Sequence, residues 1–148
     1  MTATNHVLTG IVIGSVIHQP LLALPIAFLS HFVLDALPHY SDERITLVDR
    51  TFLYILFSDM CIAAGFLAIL VIAMPINWPV LLVCGVLASS PDLMWLSPWL
   101  QELKGIKPKP FGLIRQFHSK IQWCTKPWGI GVEAAWAVGS VTLLVKLI

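Results

Sequence analysis

The chain has 148 residues, 57% hydrophobic and only 11% charged, with a formal net charge of +1 and a mean hydropathy of +0.84. Soluble domains carry about 25% charged residues; this chain has too little polar surface to cover itself in water, so lipid must be part of its solvent. The same composition excludes a disordered chain, a collagen-like or coiled-coil rod and a disulfide scaffold, and the small net charge gives no field for nucleic acid. Cys61, Cys84 and Cys124 are widely spaced with no CxxC and read as small apolar packing residues.

No Lys or Arg precedes the first apolar run, so the basic region of a cleavable signal peptide is missing and the N-terminus reads as mature structure. Asn5 or Thr4 is expected to cap a helix over about 6–18. Gln19-Pro20 breaks it, and a second run covers 21–37 with Pro25 near its start. Both fall short of the ~20 residues that cross ~30 Å of hydrocarbon, so they read as a tight helical hairpin, with Gly10 and Gly14 as a small-xxx-small pair letting its two helices approach.

A polar turn holds Pro38, His39, Tyr40, Ser41, Asp42, Glu43 and Arg44. Residues 51–74 are the clearest span, apolar except for Asp59. Pro75 to Pro79 make a turn, with Trp78 suited to an interface, and a short apolar helix over 80–89 ends at Ser89-Ser90-Pro91-Asp92. Residues 93–127 hold Trp95, Trp99 and Trp123, with Trp128 one step beyond, and six of the nine Lys and Arg: Lys104, Lys107, Lys109, Arg115, Lys120 and Lys126. Within them, Phe111 to Trp123 reads as an interfacial amphipathic helix with Leu113, Ile114, Phe117 and Ile121 on one face. The last span covers 128–148 and contains Glu133.

The expected fold is therefore all-α: one integral membrane domain over 1–148, a polytopic bundle of four or five helices with the N-terminal hairpin and the interfacial helix. The positive-inside rule places 93–127, and by counting back the N-terminus, on the cytoplasmic side. That topology gathers His6, His31, Asp35, His39, Asp59, Asp92, His118 and Glu133 in one leaflet, with His18 on the other side. Ionisable groups inside a membrane cost on the order of 2.5–3.5 kcal/mol each on insertion scales and so need partners.

Two explanations stand: structural pairing between helices, or a bound divalent cation, zinc given the histidines. His31-x3-Asp35-x3-His39 is the best local motif, because steps of four share one helix stripe. Pro38 is expected to end or kink that helix, releasing His39 onto a turn from which it swings back. The candidate metal ligands are His31, Asp35, His39, Asp92, His118 and His6. Asp92 reads equally well as the N-cap of a helix through Leu93–Leu100. Glu133 and Asp59 are candidate general bases, and Arg115, Lys120 and Lys126 are candidate contacts for an anionic headgroup or phosphate.

His6 ahead of a Gly10-containing helix, the Pro91-Asp92 step after a small-residue helix end, and His118-Ser119 preceded by Arg115 resemble the YdjM-like family of membrane-bound metal-dependent hydrolases. The family's Pro-Asp-x-Asp is here Pro91-Asp92-Leu93-Met94, and its His-Arg-x-x-x-His-Ser is reduced to Arg115-x-x-His118-Ser119; His31, Asp35 and His39 would stand in for the missing ligands. The resemblance implies a membrane-embedded hydrolase of a bacterial inner membrane.

The first reading of function is accordingly metal-dependent hydrolysis of a lipid or phosphoester at the cytoplasmic face. A proton or cation transporter using Asp35, Asp59 and Glu133, and a non-catalytic scaffold with a structural polar cluster, are the alternatives. Membrane lipids are the expected partners and nucleic acid is not; a homo-oligomer is compatible with the composition.

Overall fold

The structure is a computed structural model that describes residues 1–41, 49–107 and 112–148. Asp42, Glu43 and Arg44 of the polar turn, and Lys109 and Phe111 of the basic segment, lie outside the described residues. Apart from an isolated parallel bridge between His39 and Thr125, the regular elements among the described residues are helices: α1 (Ala3–Val16), α2 (Pro20–Asp35), α3 (Arg50–Ala73), α4 (Trp78–Ser89), a 3-10 segment (Ser90–Trp95), α5 (Leu96–Leu103), α6 (Leu113–Ile121), a short 3-10 turn (Pro127–Gly129) and α7 (Ile130–Leu147). Among the described residues three runs are long and apolar enough to cross a membrane, Arg50–Ala73, Trp78–Leu103 and Pro127–Leu147. They mark an integral membrane protein.

Breaks in the chain follow its proline and glycine chemistry. Pro20 sits in the first turn of α2, where its missing N–H costs nothing. Helix α3 ends at Met74 in the left-handed conformation, and Asn77, also left-handed, opens α4. Helix α4 ends at Ser89, where the sequence predicts, but the apolar run Trp78–Leu103 continues past Pro91. The Ser89 and Ser90 hydroxyls donate back to the Val86 and Leu87 carbonyls, satisfying acceptors that the break would free. The chain then tightens into the 3-10 segment and continues as α5, a helix that starts later than the expected one through Leu93–Leu100.

Helix α1 is central and packs against α2, α3, α4 and α7. Val7 and Ile11 meet Ala63 and Leu70 of α3 and Leu81 of α4, while Ala23 and Ala27 of α2 close on Cys84. The Gly10/Gly14 pair serves a different contact from the expected one. A side chain on Gly10 would lie 2.3 Å from the Cys84 carbonyl oxygen, and one on Gly14 3.1 Å from the Leu81 Cα. The pair therefore seats α4, not α2, because α4 brings its own Gly85 to the crossing.

The start of α1 also departs from expectation. Neither Thr4 nor Asn5 caps it; the N-cap position is Thr2, which makes no side-chain cap bond. The first amides are instead met from neighbouring helices. Asp59 of α3 accepts from the Ala3 and Thr4 N–H groups at 2.7 and 3.0 Å, and Glu133 of α7 accepts from Thr2 N–H at 3.2 Å. Carboxylates at a helix N-terminus satisfy orphan donors and complement the helix dipole.

Candidate metal centre

Helix α1 runs opposite to both α2 and α4, so the start of α1, the end of α2 and the end of α4 lie at one level of the bundle. Single ligand atoms of His31, Asp35, Asp92 and His118 there all lie within 4.8 Å of one another. His31 and Asp35 come from successive turns of α2, Asp92 from the 3-10 segment after α4, and His118 from α6. His31 and His118 are fully buried and Asp35 nearly so, whereas the Asp92 side chain is 39% exposed.

Proton placement gives the cluster its character. His31 Nδ1 lies 2.8 Å from the Ala88 carbonyl oxygen, so that nitrogen must carry the proton and donate it. Nε2 then faces inward. It points among the Asp35 carboxylate (3.3 Å), the Asp92 carboxylate (3.5 Å) and His118 Nε2 (3.2 Å). His118 Nε2 lies 2.6 Å from Asp35 Oδ2, which also accepts from the Gln122 amide at 2.9 Å. Two imidazole nitrogens and two carboxylates converging at one point call for a proton or a metal ion among them, and they are a donor set suited to a divalent ion such as zinc.

His6 belongs beside this group and outside it. Its ring stacks on His31 with centroids 4.0 Å apart, and its Nε2 bonds the other Asp35 oxygen at 3.1 Å. The Met1 amino group meets the same oxygen. Asp35 is thus held from both sides, by His6 and Met1 on one oxygen and by His118 and Gln122 on the other. Gln122 was not among the site residues read from sequence; its signal was the spacing of four from His118 on α6.

His39 does not swing back. Its backbone is pinned to the segment before α7, with N–H to the Cys124 carbonyl at 3.2 Å and carbonyl to Lys126 N–H at 3.0 Å. Gly129 presses so close that a side chain there would fall 2.2 Å from the His39 carbonyl carbon. The His39 ring Nδ1 turns to the Leu37 carbonyl, and burial pushes its pKa below the ordinary 6.5.

The two acids read as bases face backbone instead. Both Asp59 oxygens take α1 amides, while Glu133 joins Thr2 N–H to Tyr40 N–H, the latter at 2.9 Å. Asp92 is not an N-cap, since α5 is capped at Trp95. Lys120 is exposed on the side of α6 away from His118, Arg115 is half-buried and Lys126 exposed at the start of the last apolar run; none belongs to the four-residue cluster.

No family model, curated protein or solved structure matches this chain.

Proposed function

We propose that the protein is a membrane-embedded, divalent-metal-dependent hydrolase acting on a lipid phosphoester. The observation that carries the reading is the convergence of His31, Asp35, Asp92 and His118 in a buried pocket with one partly exposed member. His31, Asp35 and His118 are the ligands in this reading, and zinc is the ion that their nitrogens favour. Once bound, the ion would polarise a phosphoryl or ester oxygen and lower the pKa of water. Asp92, at the open side, is placed to accept the proton of the attacking water.

The YdjM-like resemblance supports the same reading, since Asp92 and His118, from two of its motifs far apart in sequence, meet at one point. Positive residues beyond Leu103 favour a cytoplasmic site in a bacterial inner membrane. Arg115, Lys120 and Lys126 fit contacts to anionic headgroups around the site better than contacts to the reacting phosphate, because none of them belongs to the cluster.

The test is elemental analysis of the purified protein, followed by hydrolysis of phospholipid in mixed vesicles. Zinc bound by the protein is expected, with activity lost on chelation and restored by the metal. Asp92→Asn is expected to keep the zinc and lose the turnover. Protein that holds no metal, or activity that survives exhaustive chelation, would overturn the proposal.

A further inference from the structure

Helix α6 supplies His118 to the cluster and Gln122 to Asp35, yet it presents most of its apolar surface outward. Leu113 is 84%, Ile114 69% and Phe117 54% exposed. These three share one face, with Ile121 completing it, His118 at one edge and Lys120 at the other; Arg115, Gln116 and Ser119 occupy the other side. The helix is tied to the rest of the protein mainly at its inner edge. His118 and Gln122 reach Asp35, the Trp123 indole N–H donates to the Ala36 carbonyl at 2.9 Å, and Phe117 packs on Phe32.

What covers the apolar face follows from depth. Asp59 meets the start of α1, and it stands nine residues into α3, about 13 Å along that helix at 1.5 Å per residue. The cluster beside the start of α1 therefore lies well below the outer end of a helix apolar enough to span. At that level the surroundings of Leu113, Ile114 and Phe117 are acyl chains. Trp123 and Trp128, both exposed and leading into the last apolar run, are suited to the boundary just above.

We infer that α6 lies in the leaflet with Leu113, Ile114 and Phe117 in lipid, and that this insertion is what holds His118 in the cluster. The lipid surface is then a working partner of the site: the face that meets the bilayer and the residue that meets Asp35 belong to one short helix. The consequence for catalysis rests on the metal reading above; the placement of α6 does not.

Two measurements in bilayer vesicles test this. With Cys61, Cys84 and Cys124 replaced by alanine, spin labels on Leu113→Cys and Ser119→Cys are compared for collision with oxygen and with an aqueous chromium complex. The label at 113 is expected in lipid and the label at 119 in water; both in water would overturn the inference. Second, carbethoxylation of His118 is followed by mass spectrometry. Replacing Leu113 and Ile114 together by Asp is expected to raise its labelling at least about tenfold, given two apolar side chains lost from the bilayer. Ser119→Asp is expected to leave it unchanged. Equal labelling in the two variants would overturn the coupling. Wild-type protein that binds no zinc yet shows this pattern counts against the hydrolase reading alone; zinc-binding protein with both α6 positions in water counts against this inference alone.

Discussion

Asp59 and Asp92 are both carboxylates carried on apolar runs at the same end of the bundle, and their surroundings differ in kind. Asp59 meets donors: each of its oxygens takes a backbone N–H from the first turn of α1, and the Thr4 hydroxyl adds a bond to its carbonyl. Asp92 meets a ring nitrogen: its nearest polar neighbour in the cluster is His31 Nε2 at 3.5 Å, the other nitrogen of that ring being committed to the Ala88 carbonyl. An embedded acid that finds N–H groups is complete as it stands. One that faces a ring nitrogen is complete only with a proton or a metal ion shared between them. Embedded charge in itself therefore does not identify a functional group; the sign of what faces it does.

The largest effect expected from breaking this contrast is on metal retention. Asp35→Asn removes a ligand charge at the point where His31, His118 and Gln122 converge. Zinc affinity, measured by competition with a chromophoric chelator, should fall by more than about 100-fold, since loss of outer partners alone typically costs 10–100-fold. A fall of that size in Asp59→Ala instead would reverse the assignment of the two assemblies.

Asp59→Ala should act on stability. It leaves two amides at the start of α1 without their charged acceptor, and charge-assisted bonds of this kind contribute about 1.5–3 kcal/mol each before partial rescue by water. A loss of roughly 2–3 kcal/mol is expected in reversible unfolding in micelles, with the zinc content of the folded fraction unchanged. An Asp59 variant of wild-type stability that has lost turnover would show the acid to be a base after all.

The same contrast explains what the sequence could reveal. His31 and Asp35 were legible as a pair, because a spacing of four on a helix fixes which side chains share a face. That embedded Asp59 and Glu133 must have partners was also legible. Which partners was not: local rules look for a cap within the helix being capped, and α1 takes its caps from α3 and α7, more than 50 and 120 residues away. Gly10 and Gly14 announced a close helix contact without saying with which helix, because small residues record the distance of approach and not the identity of the neighbour. His39 misled for a backbone reason. Its place on the stripe of His31 and Asp35 counted only while the helix continued, and the chain leaves the helix at Asp35 to be pinned against Gly129.

His39 supplies the smallest expected effect and a control on the other histidines. Burial lowers its pKa below the ordinary 6.5, so on acidification the unfolded chain takes up the proton before the folded one does. The folded state is then favoured fully above pH 6.5 and loses stability as the pH falls through 6.5 toward the lower folded value. The slope for one proton cannot exceed about 1.4 kcal/mol per pH unit. His39→Asn should flatten this part of the profile between pH 7 and pH 5 without changing zinc content, since the ring bonds the Leu37 carbonyl and lies outside the four-residue cluster. Because His6, His31 and His118 are still present in that variant, the difference between the two profiles isolates His39. A steeper profile in His39→Asn than in the wild type would mean that the ring is held charged in the folded state, and that the Leu37 bond outweighs burial.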